Sequence, residues 1–281
     1  MADMTDKVCV VTGANSGIGK MTAVGLAKAG ATVVMACRDL ARSSEALAGI
    51  RTLSGSDQVH LMQLDLASQV SIRAFVEAFT QRFDRLDVLV NNAGVGSPAR
   101  KLTADGFELH FGVNHLGSFL LTTLLLPVLE RSAPSRVIVV AGSAQKSGKI
   151  NWDDLQLEQK YSILRAGGQS KLANLMFVRA LAQRAQGVTV NAVDPGMTAT
   201  GITRELPAPV HKLMGLLFKS PEKGARTPVY LATSSEAADV TGKYFKNSRE
   251  IQPNPDALDD NAVQRLWRIS EKLTAQSATA P

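Results

Sequence analysis

Short apolar runs rich in β-branched residues alternate with longer segments of helical periodicity through most of the chain. The runs predict strands at residues 7–11, 31–36, 59–64, 87–90, 136–140 and 188–193. The segments between them predict helices at residues 17–29, 68–83 and 162–185, and a long apolar helix that ends near residue 130. Repeated strand–helix units require a parallel sheet with helices on both faces, because each crossover must pass over one face. The sequence therefore predicts an α/β fold with a doubly wound parallel sheet.

The pattern becomes less regular after residue 195. Residues 196–220 contain Gly, Thr, Pro and Met without strand periodicity, and we interpret them as a flexible segment that covers a substrate site; an ordinary surface excursion is the alternative. A helix at residues 220–233, a last strand at 242–245 and a C-terminal helix around 256–275 follow. Because neither an internal repeat nor a linker is found, we predict a single domain over residues 1–281.

The net charge is +6, and lysine and arginine are dispersed without runs or interleaved aromatic residues. This favours an enzyme that binds anionic small molecules over a nucleic-acid-binding protein. We find neither a signal-peptide pattern nor a run of about 18 apolar residues, so a cytoplasmic protein without a membrane span is expected. Cys9 and Cys37 fall in predicted strands and are expected to be buried thiols. The histidines are isolated, so no metal site is predicted, and His115 is interpreted as a packing or hydrogen-bonding residue.

A glycine-rich loop, TGANSGIG at residues 12–19, joins the first predicted strand to the first helix. Glycines let the backbone turn tightly and approach a pyrophosphate, while the helix N-terminus offers free N–H groups and the positive end of its dipole. In this strand–turn–helix context the loop is typical of a Rossmann-type dinucleotide site rather than of a structural turn. The residues expected to form this cofactor site are Gly13, Asn15, Ser16, Gly17, Ile18 and Gly19.

The second predicted strand is followed by Arg38 and Asp39. An acidic residue at this place binds the ribose 2′-hydroxyl of NAD, whereas an arginine suits the 2′-phosphate of NADP. Because Arg38 comes first, we predict NADP(H) as the cofactor. In the alternative, Asp39 only caps the next helix and Arg38 is a solvated charge, which leaves the choice of cofactor open.

Taken together, these features resemble the short-chain dehydrogenase/reductase superfamily over nearly the whole chain. The matching pieces are the glycine loop, Asp65-Leu66, Asn91-Asn92-Ala93-Gly94, Asn114, Lys171 and Pro195-Gly196. Finer features at residues 35–39, 102–122, 169–175 and 241–273 are similar to the branch that contains the retinol dehydrogenases and the protochlorophyllide reductases.

The resemblance implies a role for each matching position. Lys171 would bind the hydroxyls of the nicotinamide ribose, and Asn114 would anchor a helix kink and a water of the family's proton relay. Asp65 and Leu66 would flank the adenine. The adenosine ribose would be lined by Asn91, Ala93 and Gly94. The carboxamide and the phosphates would be contacted by Pro195, Gly196 and Thr198.

The chain departs from the family at the two groups that normally handle the substrate oxygen. The family's tyrosine stands four residues before the lysine on the same helix face, and that position is Gly167. The serine position is Gly142, with Ser143 one place later. In the family the tyrosine protonates the alkoxide and the serine hydrogen-bonds the carbonyl. Loss of a general acid costs about 10²–10⁴-fold in rate unless another group replaces it.

Gly167 and Gly168 are adjacent, and each costs about 1 kcal/mol in a helix relative to alanine. We interpret the cost as a sign that both missing side chains open space for a bulky, rigid substrate. An engineered replacement of the tyrosine is the alternative, which the divergence at Gly142 disfavours. The proton would come from Ser143, Gln145, Lys146 or Tyr161, or from a phenol of the substrate beside the ketone. This pattern resembles an atypical polyketide-tailoring ketoreductase of the kind found in the simocyclinone pathway.

The first hypothesis is therefore an NADPH-dependent ketoreductase of a bulky aromatic or polyketide ketone in antibiotic biosynthesis. Its catalytic residues would be Lys171, Asn114 and Ser143. The alternatives are a non-redox cyclase or isomerase on the same fold, and a non-catalytic NADP-binding regulator. The expected partner is the small-molecule ketone, without nucleic acid, and an oligomer is compatible with the sequence.

Overall fold

One sheet forms the centre of the molecule. The computed structural model describes residues 3–196 and 220–275. Within them the strands are β1 (Val8–Thr12), β2 (Thr32–Cys37), β3 (Val59–Gln63), β4 (Val88–Asn91), β5 (Ser135–Val140), β6 (Val188–Asp194), β7 (Tyr244–Lys246) and β8 (Arg249–Glu250). Their order is β3-β2-β1-β4-β5-β6-β7-β8. All neighbours pair in parallel except β7 and β8, which form a short antiparallel hairpin.

Helices cover both faces of the sheet. They are α1 (Gly17–Lys28), α2 (Leu40–Ser54), α3 (Gln69–Arg82), α4 (Ser118–Arg131), α5 (Ile163–Ala182), α6 (Pro221–Thr233) and α7 (Asp260–Ala275). One face packs against α1, α2 and α6 in a cluster that includes Val24, Ile50 and Leu231. The other packs against α3, α4, α5 and α7 around Phe75 and Phe177. The predicted Rossmann-type doubly wound sheet is confirmed.

The strand sequences explain why the sheet is buried on both faces. β1 reads VCVVT and β2 reads TVVMAC, and successive residues in both are buried instead of alternating between core and solvent. A strand with solvent on one side would carry a polar residue at every second position. Cys9 and Cys37 lie in these strands as buried free thiols, as predicted.

The order of the strands produces a crevice at one edge of the sheet. From β1 the chain moves outward through β2 to β3, and then returns to place β4 on the other side of β1. In open α/β sheets the loops on the two sides of such a reversal diverge at the carboxyl ends of the strands and leave a crevice. The glycine loop and the segments after β2, β4, β5 and β6 all lie at this edge.

The predicted long apolar helix consists of a π-helical segment, Phe111–Gly117, which continues directly into α4. By length and composition, Phe111–Arg131 is long and apolar enough to cross a membrane, contrary to the expectation that the sequence holds no such run. However, 78% of its apolar window is buried inside the protein. His115 in this segment is buried, with Nε2 2.8 Å from Ser270 Oγ. Burial lowers the pKa of His115 to about 3. Its predicted packing role is confirmed.

Several elements differ from the sequence-based prediction. Strand β8 was not predicted, and helix α2 was implied only by the alternative interpretation of Asp39, without bounds. The C-terminal helix begins at Asp260 instead of near residue 256, because Pro255–Leu258 forms a separate 3₁₀ turn. The segment at 196–220, interpreted as a cover, lies outside the described residues apart from its two ends.

Candidate nucleotide-binding and catalytic site

The glycine loop between β1 and α1 is tight because its glycines lack a Cβ atom. Gly13 and Gly17 have φ angles of +66° and +55°, in the left-handed region that favours glycine. Gly19 is required for space, since a Cβ there would overlap Asn92 Nδ2 and lie 2.5 Å from Gly13 O. The loop therefore packs directly on the segment that follows β4.

The N-terminus of α1 is free to bind an anion. Ser16 precedes the helix, but its side chain accepts no hydrogen bond from it, and the first turn holds no acidic residue. By contrast, α2, α3, α5 and α6 are each capped by a side chain, those of Asp39, Ser68, Ser162 and Ser220. An uncapped helix N-terminus presents N–H donors and a positive dipole end, the donor set that a pyrophosphate requires. The loop thus fits a dinucleotide.

Thr12 and Asn92 hold the glycine loop against the end of β4. Thr12 Oγ1 accepts the backbone N–H groups of Asn92 and Ala93, both at 2.9 Å, and Asn92 Nδ2 donates to Thr12 O at 2.8 Å. Thr12 was not assigned a role from the sequence, since nothing local shows this contact across the sheet. Asn91 differs from its neighbours: its side chain is buried and donates to Thr122 Oγ1 at 2.8 Å, so it supports α4 beneath the site.

The residues after β2 and β3 lie at the predicted adenosine end. Arg38 is exposed, and its side chain forms no hydrogen bond or ion pair within residues 3–196 and 220–275. Asp39 Oδ1 accepts the N–H of Arg42 at 3.0 Å and so caps α2, as the alternative interpretation predicts for this residue. Asp65 Oδ1 accepts a backbone N–H two residues later at 2.9 Å, and Leu66 is buried.

Asn114 connects three elements behind the site. Its Oδ1 accepts the N–H of Val95 at 2.8 Å, and its Nδ2 donates to Val95 O and to Ser170 Oγ, each at 3.2 Å. Ser170 Oγ donates to Gly167 O at 3.0 Å. The loop after β4, the π-helical segment and α5 are thereby fixed to one another. The helix distortion implied at Asn114 is present as this π-helical turn.

Lys171 lies on α5 beside Asn114 and Gly94. Its Nζ donates to Val140 O at 2.9 Å. A Cβ built on Gly94 would lie 3.6 Å from Lys171 Nζ and 3.3 Å from Asn114 Oδ1, so these three predicted site residues converge. Burial lowers the pKa of Lys171 to about 8, because removal from water disfavours the ammonium form.

The two adjacent glycines of α5 differ in what surrounds them. A Cβ built on Gly167 would meet none of the described residues within 4 Å, so within them the position one turn before Lys171 is open space. A Cβ on Gly168 would lie 3.1 Å from Gly148 Cα, where the loop after β5 packs against the helix. The interpretation that both glycines open a pocket is therefore wrong for Gly168, whose missing side chain allows a close backbone approach.

The loop after β5 has Gly142 at the position where the family carries its serine, and the backbone there suits a glycine. Gly142 has φ +82° and ψ 168°, a conformation essentially restricted to glycine. Ser143 begins the 3₁₀ turn Ser143–Ser147, and its hydroxyl has no hydrogen-bond partner among the described residues. No role was predicted for Tyr244, but its hydroxyl donates to Gly142 O at 3.1 Å. Burial raises the pKa of Tyr244, which keeps this hydroxyl protonated.

The other predicted substitutes for the proton donor have different surroundings. Tyr161 donates its hydroxyl proton to Ser97 O at 2.6 Å. Gln145 is buried, and its Oε1 accepts a backbone N–H from the segment after β8 at 2.9 Å. Lys146 is exposed on the 3₁₀ turn. Among the four predicted substitutes, Ser143 alone offers an unbound hydroxyl in the described part of the chain.

The remaining predicted contacts follow β6 at the same edge of the sheet. Pro195 is buried, and Gly196 has a φ angle of +81°. Thr198 lies outside the described residues. The predicted residues that the structure describes thus come from the carboxyl ends of β1 to β6, from the N-terminus of α1, from the π-helical segment and from α5.

Fold and site together define a nucleotide-dependent oxidoreductase of the Rossmann type. The family model for short chain dehydrogenase matches residues 7–210. The chain belongs to the short-chain dehydrogenase family, whose members use NAD or NADP.

The similar proteins include retinol dehydrogenases. Human retinol dehydrogenase 14 is 45% identical over 96% of this chain and 87% of that protein, and human retinol dehydrogenase 13 is 43% identical over 99% and 87%. Among solved structures, an uncharacterised protein from Mycobacterium paratuberculosis has a TM-score of 0.80 at 33% identity, over 98% of this chain and 96% of that one. The Pseudomonas aeruginosa RhlG/NADP complex has a TM-score of 0.72 at 28% identity, over 88% and 97%. The predicted similarity to the retinol dehydrogenase branch is confirmed.

Proposed function

We propose that this protein is an NADP(H)-dependent ketoreductase of a bulky aromatic ketone of the polyketide class, and that the substrate supplies its own proton. The observation that carries the proposal is Gly167, which leaves open space among residues 3–196 and 220–275 one turn before Lys171 on α5. The nucleotide-binding features around that space are intact. A bulky substrate therefore has room at the place where the resemblance puts a tyrosine ring.

The preference for NADP(H) is supported by the end of β2. The adenosine ribose lies beside this strand end in Rossmann-type folds. Arg38 is exposed there and available to pair with a 2′-phosphate. Asp39, the acid that would bind the ribose hydroxyl of NAD, uses one carboxylate oxygen as a helix cap. The similar RhlG structure is an NADP complex.

The aromatic substrate class is supported by apolar side chains next to the open space. Leu164 lies three residues before Gly167 on the same face of α5 and is 82% exposed, and Ile163 is also exposed. A flat apolar ligand that fills the Gly167 space would cover such side chains, which favours its binding. The similar proteins are named for retinol, itself a large apolar alcohol.

The substrate-derived proton is supported by the few donors that the site offers. When bound, NADPH supplies the hydride. Lys171 and Asn114 orient the nicotinamide ribose side, and the open space at Gly167 receives the ring that carries the ketone. A phenol next to the ketone hydrogen-bonds the developing alkoxide within the substrate and transfers its proton there. The enzyme then accelerates the reaction mainly through placement.

The test compares a ketone that carries a neighbouring phenol with its O-methyl ether. We expect the wild-type protein to oxidise NADPH at least about tenfold faster with the phenol, since a general acid contributes about 10²–10⁴-fold. Similar rates with both ketones would refute substrate assistance. If no ketone in a broad panel supports NADPH oxidation, the non-redox alternatives become the better explanation.

A variant of Gly167 tests the open space separately. In Gly167→Tyr the ring occupies the space, and overfilling a packed site costs about 1–3 kcal/mol, so KM for the phenolic ketone should rise. Gly167→Ala is the matched control, because it adds a side chain without a ring. A strong gain in turnover for Gly167→Tyr would contradict the proposal. The double variant with Gly142→Ser is harder to interpret. A serine in the backbone conformation of Gly142 is strained by about 1–3 kcal/mol, which lowers stability as well as changing the site.

A further inference from the structure

An ion pair beside the end of β6 has no part in the roles described so far. β6 ends at Asp194, directly before Pro195 and Gly196, and the register of β6 and β7 places Lys246 opposite Asp194. The Asp194 side chain is 1% exposed and that of Lys246 is 34% exposed. Both residues lie at the carboxyl edge of the sheet, where the cofactor crevice is.

The two carboxylate oxygens of Asp194 have different partners. Oδ1 accepts the backbone N–H of Gly196 at 2.8 Å, which closes a turn around Pro195. Oδ2 accepts a proton of Lys246 Nζ at 2.9 Å. Because Gly196 has a φ angle of +81°, the turn depends on a glycine and on the hydrogen bond from its N–H to Asp194.

A carboxylate as buried as that of Asp194 requires a partner, since an unpaired charge away from water is strongly unfavourable. Lys246 approaches from a partly exposed position, so it neutralises Asp194 without losing all of its own hydration. Without Lys246, the carboxylate would be left buried without its charge partner and would move toward water. That movement alters its hydrogen bond to Gly196 and with it the shape of the turn.

A second lysine on the same segment forms an ion pair of another kind. Lys243 Nζ lies 3.0 Å from Glu250 Oε1, and the two side chains are 50% and 46% exposed. Exposed pairs contribute little to stability because water and salt screen them. Lys243 is therefore a matched control for Lys246.

We propose that Asp194 and Lys246 are positioning residues that hold the Pro195–Gly196 turn in the shape that binds the nicotinamide end of the cofactor. The inference rests on the proposed function, because it requires that a nicotinamide nucleotide binds at this edge of the sheet. Asp194 acts through Gly196, and Lys246 acts through Asp194. The adenosine end of the cofactor, bound by the glycine loop and the end of β2, does not depend on this pair.

The experiment measures the dissociation constants of two ligands by calorimetric titration. NADP⁺ is one, and 2′-phospho-ADP-ribose, which lacks the nicotinamide, is the other. In Lys246→Met we expect the NADP⁺ dissociation constant to rise about tenfold, equivalent to ~1.4 kcal/mol, with that of 2′-phospho-ADP-ribose within about twofold of wild type. Lys246→Arg should restore NADP⁺ binding, and Lys243→Met should bind both ligands as wild type does. Asp194→Ala should show the same selective loss, and it replaces Lys246→Met if that variant does not fold.

The outcomes separate this inference from the function on which it rests. Equal losses of both ligands in Lys246→Met, or no loss of either, would overturn the positioning role and leave the proposed function in place. A loss of the same size in Lys243→Met would also overturn it, because the effect would then be one of surface charge. If the wild-type protein binds neither nucleotide, the proposed function itself is wrong.

Discussion

Arg38 is the single side chain on which the preference between two nucleotides depends in the proposed site. It is exposed at the end of β2, and within the described residues it has no acidic partner to neutralise it. We expect Arg38→Ala to raise the NADPH dissociation constant about tenfold or more, because a charge-assisted hydrogen bond contributes about 1.5–3 kcal/mol. The dissociation constant for NADH, which has no 2′-phosphate, should change little. Fluorescence titration of the bound nicotinamide measures both.

A second exposed arginine controls for the loss of one positive charge. Arg131 ends α4 at the opposite edge of the sheet. Arg131→Ala should leave both dissociation constants as in the wild-type protein, apart from a small salt-dependent change. Equal weakening of NADPH and NADH in Arg38→Ala would mean that the arginine binds a group common to both nucleotides.

At the scale of helix α5, the two adjacent glycines should respond oppositely to the same substitution. In Gly167→Ala the new Cβ meets no residue of the described part of the chain within 4 Å, so the free energy of unfolding should rise by up to about 1 kcal/mol through helix propensity alone. In Gly168→Ala the same gain is opposed by contact with Gly148 Cα at 3.1 Å. Urea denaturation of the cofactor-free variants measures the difference.

Gly148→Ala shows how closely the loop after β5 packs against α5. Gly148 has an ordinary φ of −68°, so alanine brings no backbone strain there. Its Cβ would, however, overlap the carbonyl oxygen of Gly168, and we expect the largest loss of stability of the three variants. If Gly167→Ala destabilised the protein as much as Gly168→Ala, the space beside Gly167 would not be open.

The strands were predictable because strands buried on both faces are continuous apolar runs, which depend on local sequence alone. Helix α2 was not, since its buried face consists only of Ser43, Ala46 and Ile50 and its hydrophobic period is weak. The β7–β8 hairpin turns through Asn247 and Ser248, both with positive φ, and neither is the glycine that usually marks such a turn.

The candidate site was likewise predictable from the sequence only in part. The glycine loop and the gap at Gly167 were visible because a motif or a fixed spacing on one helix defines them. The contacts of Thr12 with Asn92, of Tyr244 with Gly142 and of Asp194 with Lys246 join residues 52 to 102 positions apart. Only the order of the strands brings these residues together, and pattern analysis of single segments does not supply that order.

On the scale of the whole molecule, Lys171 connects the site to the stability of the fold. Its pKa is lowered from 10.5 to about 8 by burial, so folding favours the neutral amine. Below about pH 8 the Lys171 amine is protonated in both the folded and the unfolded chain. Burying its charge then lowers the free energy of unfolding by the full cost of desolvation. Between about pH 8 and 10.5 the unfolded chain binds more protons than the folded one, and the free energy of unfolding rises with pH. Above that range the contribution of the charge disappears.

Replacing Lys171 with methionine should therefore have opposite effects on stability and on cofactor binding. At pH 7, Lys171→Met should unfold at higher urea concentration than the wild-type protein, because the buried charge is gone. This advantage should shrink toward pH 10, and other groups that titrate there cancel in the comparison. The same variant should bind NADPH more weakly, since the proposed contact of Lys171 with the nicotinamide ribose is lost. A stability difference that is independent of pH would mean that the Lys171 ammonium is not desolvated. Unchanged NADPH affinity, with loss of a basic ionisation from the pH profile of turnover, would identify Lys171 as the proton donor in place of the substrate.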